Sequence, residues 1–256
     1  MTMKQSIKWM LQMISKILFF VFGIIHWKSK FHTQGIGLLK LNLSGSVSLK
    51  LNSGYIFMSR FIIKGTNNTL IFDDNVKISN CTFVIQGNNC RVDFRGANYM
   101  KKSRFELLSS NTKLIVMNNT GFNRDRIVIA GINNEVRIGL DCFLGENVEI
   151  WASDGHAILN KQTNQRINRN APVLIGDRVW LGSRTAVMKG VKIGNDVVVA
   201  TGSIVTKDIN NNELVAGIPA IPIKNDIVWC VKNCDCCDSS ADCREYGSNR
   251  KASDIE

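Results

Sequence analysis

The stretch Ile175-Gly176-Asp177-Arg178-Val179-Trp180-Leu181-Gly182 opens a run in which an aliphatic residue returns every six positions, at Ile175, Leu181, Val187, Ile193, Val199 and Val205. A small residue often follows it, as at Gly176, Gly182, Gly194 and Ala200. A helix repeats its faces every 3.6 residues and cannot hold a period of six. Six residues make one short strand and one turn. Three such units close a triangular coil, and Ile175 and Ile193 are three sixes apart. The aliphatic side chains then point inward and stack on their equivalents in the next coil. The spacing predicts an all-β fold, a parallel β-helix built on a hexapeptide repeat.

Upstream, Ile138-Gly139, Leu144-Gly145 and Ile150-Trp151 keep the same period. Farther back the step changes to 22 residues, at Asn67, Asn89, Asn111 and Asn133 and again at Phe72, Phe94, Val116 and Ile138. Asn and Gly accept the left-handed backbone of a tight turn. Residues 33–134 therefore read as wider, irregular coils of the same solenoid. A separate antiparallel sheet domain joined by hairpins is the alternative, and the constant step running straight into Ile138 favours one solenoid.

The sixes break once, between Ile150 and Ile175, in an excursion over 152–174 inside a repeat region of 135–228. The break begins Trp151-Ala152-Ser153-Asp154-Gly155-His156. Solenoids accept insertions on one face, and that face is often the working one. His156 is one of three histidines, and a histidine can act as a general base near neutral pH. A solitary loop histidine is more often just solvated; its position at the single break favours catalysis. Asp154, two residues earlier, is placed to orient the ring or stabilise its charged form. Trp180, in the first coil after the break, could wall a pocket and donate through its indole N–H, or simply pack between coils. Lys161, Arg166 and Arg169 in the excursion could contact an anionic acceptor, although any one such residue is more often ordinary solvated loop. Lys189, Lys207 and Lys224 come in later turns and could meet the phosphates of a long cofactor.

The ends differ from the body. Residues 1–32 carry five lysines and no acidic residue, and Ile7 to Leu18 show helical spacing. An amphipathic helix there fits either the membrane interface or packing on protein, and the uncharged run of Ile17–Trp27 is too short to span a bilayer. In the tail, 229–256, Cys230, Cys234, Cys236, Cys237 and Cys243 lie at irregular spacing without His, so no metal site is expected. Without a cleavage pattern after the N-terminal apolar run, reduced thiols and a cytoplasmic location, at the inner face of the membrane if the helix touches lipid, are expected. The net charge of +11 favours an anionic partner. It lacks the interleaved aromatics or module of a nucleic-acid binder. No Gly-rich phosphate loop, nucleophile elbow or His pair on a helix occurs.

Taken in order, Ser153-Asp154-Gly155-His156, Arg166-Ile167-Asn168, the Ile175–Gly182 stretch, Gly202-Ser203-Ile204-Val205-Thr206-Lys207-Asp208 and Ala216-Gly217-Ile218-Pro219-Ala220 resemble the hexapeptide-repeat acetyltransferases. Among these the chain looks closest to bacterial O-acetyltransferases of capsular and other surface polysaccharides, including sialic acid polymers. The resemblance covers roughly 135–228. It implies a left-handed β-helix, a homotrimer, acetyl-CoA as donor in the groove between subunits, and a carbohydrate acceptor, an anionic glycan, near the histidine. It places catalysis on His156 with Trp180, and cofactor contacts on Gly182, Ser183, Ala200 and Gly202, through exposed backbone N–H groups, and on Lys207. Relatives often carry Lys or Arg directly after Pro-Ala; here Ile221 stands there and Lys224 follows. N-acetylation of an amino nucleotide sugar and a non-catalytic membrane-associated scaffold are the rival readings.

Overall fold

A computed structural model describes residues 36, 37 and 40–230, and among these there is no helix. The strands fall into three parallel stacks that the chain visits in turn. The first holds Gly54–Phe57, Val76–Ser79, Tyr99–Lys101, Gly121–Asn123, Phe143–Glu146, Trp180–Leu181, Val198–Val199 and Leu214–Gly217. The long strand Lys40–Leu51 pairs along the whole of Arg60–Phe72 and begins both other stacks. The second runs on from the N-terminal half of Arg60–Phe72 through Thr82–Gln86, Arg104–Leu107, Arg126–Ile129, Glu149–Trp151, Ala186–Val187 and Ile204–Val205. The third takes the other half of Arg60–Phe72, then Arg91–Phe94, Lys113–Val116, Glu135–Ile138, Val173–Ile175 and Lys192–Ile193. The result is one three-sided parallel solenoid. At its C-terminal end Leu214–Gly217 folds back on Ala220–Lys224 in an antiparallel hairpin, which pairs the edge of the first stack. The expected helical segment, and the tail beyond Cys230, lie outside the described residues.

The register shows why the periods read as they do. Phe72, Phe94, Val116 and Ile138 are direct partners in the third stack, followed by Ile175 and Ile193. All six point inward and are buried. In the second stack Phe61, Phe83 and Phe105 form a column, with centroids 4.7 and 4.9 Å apart between neighbours. Phe72 and Phe94 meet this column edge-on, at 5.5 Å from Phe83 to Phe72 and 5.4 Å from Phe94 to Phe105. The wide coils thus fill their larger interior with phenylalanine, and the narrow ones need only Val, Leu and Ile.

Each coil turns through residues with positive φ. Asn67, Asn89, Asn111 and Asn133 all lie between 56° and 60°, as their spacing predicts. Their amides also hydrogen-bond along the solenoid, Asn89 to Asn111 at 3.1 Å and Asn111 to Asn133 at 3.0 Å. The first coil is irregular, stepping by 20 and then 21 residues with a register shift between Gly45 and Val47. From Gly54 on, the wide coils repeat at 22 residues, and their extra length has a single location. From the second stack to the third, the chain advances from Arg104 to Ile115, eleven residues, in a wide coil. In a narrow coil the same passage, Ala186 to Lys192, takes six. In the coil with the excursion it runs from Glu149 to Leu174, twenty-five residues. The corner between the second and third stacks therefore absorbs nearly all the length variation, and the asparagine ladder lines that corner.

A second corner carries a column of small or polar residues that includes Ser59, Cys81, Ser103, Asp125, Thr185 and Ser203. Asp125 is 1% exposed and accepts the N–H groups of Asn123 at 2.7 Å and Val148 at 2.8 Å. Burial outweighs these two bonds and pushes its carboxyl up to about 7. Its pKa in the unfolded chain is about 3.9, so the folded state binds this proton more tightly. The contribution of Asp125 to stability is then greatest below pH ~4, declines as pH rises to ~7, and is flat above. Asp125→Ser copies Ser103, which accepts the N–H of the next coil without a charge. Urea unfolding of both proteins across this range should show the parent losing roughly 4 kcal/mol relative to the variant, at about 1.4 kcal/mol per pH unit. Parallel curves would mean that Asp125 titrates as it does in the unfolded chain.

Candidate active site

The excursion leaves the second stack after Trp151 and rejoins the third at Val173. Its two limbs pair as a short hairpin. Leu159 bridges Arg166, Ile167 N–H donates to Ile158 O at 2.9 Å, and Asn160 N–H to Gln165 O at 2.8 Å. At its base sits Asn168, 7% exposed. Its Nδ2 donates to Asp154 Oδ2 and to His156 O, both at 2.8 Å. Its Oδ1 accepts the N–H of Ile158 at 2.6 Å and Arg166 Nε at 3.3 Å. One amide thereby ties the departing limb to the returning one. Asn134 anchors the same base from the coil beneath, donating to Ala130 O and Ala152 O at 2.7 Å each.

His156 is held by its backbone alone. Its N–H donates to Asp154 O at 2.9 Å, and its carbonyl accepts from Asn168. The imidazole is exposed and forms no hydrogen bond or ion pair among the described residues. Of the two roles expected of Asp154, orienting the ring is not seen: its carboxylate takes Lys189 Nζ at 3.0 Å and Asn168 Nδ2. Burial pulls the Asp154 carboxyl upward, and the bonds from Lys189 and Asn168 overcome this and hold it below the usual carboxylate range. Lys189 is likewise engaged with the loop rather than free for a phosphate. It comes from the coil after the excursion, thirty-five positions along the chain from Asp154, so no local motif signals the pair.

Asn168→Asp removes both Nδ2 donors and sets a second carboxylate against Asp154. The expected result is a mobile excursion, seen as new proteolytic cleavage between residues 154 and 170, with the solenoid's unfolding midpoint little changed. Resistance to protease equal to the parent's would show that Lys189 suffices to hold the loop.

Trp180 lies elsewhere. It points outward from the first stack, 39% exposed, in register with Phe143. The excursion grows from the corner between the other two stacks, which in a three-sided prism is the corner opposite the first face. One chain therefore brings His156 and Asp154 together but not Trp180. Trp180 has a neighbour that sequence reasoning missed. The ring of Trp229 stands 5.8 Å away at 42°, fixed by a 2.6 Å bond from its indole N–H to Arg178 O.

The expected cofactor contacts need one correction. The N–H groups of Gly182, Ala200 and Gly202 are already spent within the solenoid, on Val199 O, Val215 O and Ser183 O at 2.8–2.9 Å. Stacked parallel coils use these donors for pairing, so small residues here give close approach rather than free N–H groups. Ser183 Oγ accepts from Glu146 N–H at 3.1 Å. Gly202, at φ 75°, has open space where a Cβ would stand. Lys207 and Lys224 are exposed and form no ion pair among the described residues. No group of three or more His, Cys, Asp or Glu suited to a metal occurs among the described residues.

Fold and repeat together define a hexapeptide-repeat parallel β-helix, and residues 172–207 match the model of the hexapeptide repeat of succinyl-transferase. Within that class the chain is similar to polysialic acid O-acetyltransferases. It is 37% identical over 94 residues to the one from Escherichia coli O1:K1 / APEC, across 37% of this chain and 31% of that protein. It is 32% identical over 132 residues to the one from Neisseria meningitidis, across 52% of this chain and 60% of that protein. The chain thus spans from about a third to three fifths of these curated relatives. The crystal structure of the polySia specific acetyltransferase NeuO superposes over 82% of this chain and 98% of its own, with a TM-score of 0.67 at 26% identity.

Proposed function

We propose that the protein transfers the acetyl group of acetyl-CoA to a hydroxyl of an acidic surface polysaccharide, a sialic acid polymer in the first instance. The observation that carries this is the excursion. It is clamped by Asn168, Asp154 and Lys189, and the His156 imidazole projects from it without a partner among the described residues. A fixed backbone with a free ring suits a general base awaiting a substrate hydroxyl. The likeness to two polysialic acid O-acetyltransferases supports the acceptor class.

In this reading His156 removes the proton from the acceptor hydroxyl as that oxygen bonds to the acetyl carbon. The thioester C–S bond then breaks, and the proton passes from His156 to the departing thiolate. Lys207 and Lys224, exposed and unpaired among the described residues, are suited to the phosphates of the donor. Trp180 can serve the same centre only from another copy of the chain, because it lies on the face opposite the excursion. The working unit is thus an oligomer, a homotrimer by the resemblance, with Trp180 and Trp229 of one copy facing the His156 loop of the next. The N-terminal segment, if it forms an amphipathic helix, would hold this assembly at the cytoplasmic face of the membrane.

The test is to incubate the full chain with acetyl-CoA and oligosialic acid, and to read free thiol and product mass together. Thiol release matched by one acetyl mass per thiol on the glycan is expected. Thiol release with acetyl found only on an amino nucleotide sugar would replace this reading with N-acetylation.

A further inference from the structure

The positive charge is not spread along the solenoid. Residues 40–130 carry thirteen Lys or Arg against five Asp or Glu, whereas 131–230 carry ten of each. Three of the five upstream carboxylates, Asp93, Glu106 and Asp125, are buried, at 3%, 5% and 1% exposure. The wide coils therefore present an almost purely cationic surface, and the repeat region that bears the excursion is neutral overall.

Part of this charge is arranged in a built structure beside the excursion. On the second stack Arg104 and Arg126 are direct partners in neighbouring coils. Glu106 lies between them, accepting Arg104 Nη2 at 2.8 Å and Arg126 Nε at 2.7 Å. Both arginine side chains stay nearly half exposed, at 46% and 42%. Glu106 engages Arg126 through Nε, and no hydrogen bond from the terminal nitrogens of that fork occurs among the described residues. The Arg126 guanidinium in turn stands 4.8 Å above the ring of Trp151, whose indole N–H is fixed on Glu149 at 2.7 Å. Trp151 is the last residue before the excursion. Around the adjacent corner Lys101 and Lys102 are exposed and unpaired among the described residues.

We propose that this track, from Trp151 through Arg126 and Arg104 to Lys101 and Lys102, binds the part of the acceptor chain that extends beyond the reacting sugar. It would make the enzyme selective for long carboxylated glycans. The proposal rests on the O-acetyltransferase reading. Three features favour a carboxylated sugar polymer. An indole offers a flat apolar face to a sugar ring. A guanidinium with free terminal nitrogens matches a carboxylate. Arg126 and Arg104 sit one coil apart, about 4.8 Å, and Lys101 and Lys102 continue from Arg104 around the corner of the same coil, so the cations lead away from the excursion. A linear polymer threading past His156 meets them in order.

The experiment is equilibrium binding of the full chain to oligosialic acids graded in length, at low and high salt, with neutral glucans of the same lengths. The parent is compared with Lys101→Gln/Lys102→Gln and with Arg104→Gln/Glu106→Gln/Arg126→Gln, in which the buried carboxylate is neutralised together with its partners. For the parent, long oligosialic acid should bind at least tenfold more tightly than the dimer, and the advantage should shrink with salt. In both variants that advantage should collapse. Equal gain with length in parent and variants would overturn the proposal. So would tighter binding of the same residues to anionic lipid vesicles or DNA than to the glycan. Because binding is read without acetyl-CoA, length-dependent binding with no acetyl transfer to any glycan would refute the catalytic reading and leave the track standing.

Discussion

His156→Ala should fold like the parent and lose most acetyl transfer, on the order of a hundred- to ten-thousand-fold in kcat/KM. The ring makes no bond within the described protein, so its removal costs the fold nothing that circular dichroism or thermal unfolding would register. The backbone contacts at this position, to Asp154 O and Asn168 Nδ2, do not depend on the side chain. Activity and stability are therefore expected to separate cleanly. The loss should fall mainly on kcat, since a base acts on the proton only as the new bond forms. Transfer at the parental rate with intact folding would remove His156 from the mechanism and turn attention to the face that bears Trp180 and Trp229.

Phe83→Ala should have the largest effect on stability. Phe83 stacks on Phe61 and Phe105 and meets Phe72 and Phe94 edge-on, so it touches rings from its own coil and from both neighbours. Truncating a fully buried phenylalanine typically costs about 3–5 kcal/mol. Flanking aromatic rings on every side leave little room for collapse, which places the expected loss toward the upper part of that range. A solenoid's coils stabilise their neighbours in series. The wide coils should thus melt at lower denaturant than the repeat region over 172–207, visible by hydrogen exchange as early opening of Arg104–Leu107 and Arg60–Phe72. Uniform exchange along the whole chain would show that the molecule unfolds as one unit in spite of the hole.

Much of this architecture is legible in the chain. The sixes from Ile175 to Val205 and the 22-residue steps at Asn67 and Phe72 are direct images of inward columns and corner turns, because a solenoid repeats its physical environment at the period of its sequence. Placement of the break is legible for the same reason. What escapes is anything that depends on how coils sit against one another. Asp154 looks like a partner for His156 because they are two residues apart. Its actual partners, Lys189 and Asn168, arrive from the next coil and from the far limb of the loop. Gly182, Ala200 and Gly202 look like sources of free N–H groups until the neighbouring coil consumes them. Trp180 looks adjacent to the excursion in sequence and is carried by the winding to the opposite face. The upstream cations show in composition, yet their concentration into a surface requires knowing that Asp93, Glu106 and Asp125 are turned inward.

The confinement of extra length to one corner has a consequence for how such a chain can change. Six, eleven or twenty-five residues pass from the second stack to the third while the rows on either side keep their pairing, Ile127 on Ile150 and Ile150 on Val187, Val136 on Val173. That corner behaves as an open socket in an otherwise indexed scaffold. A loop of different length or chemistry could be spliced in between Ala152 and Pro172 without shifting the register of any other row. The histidine-bearing loop is in this sense an exchangeable part, and the cationic coils above it form a second part that can be inherited or replaced separately.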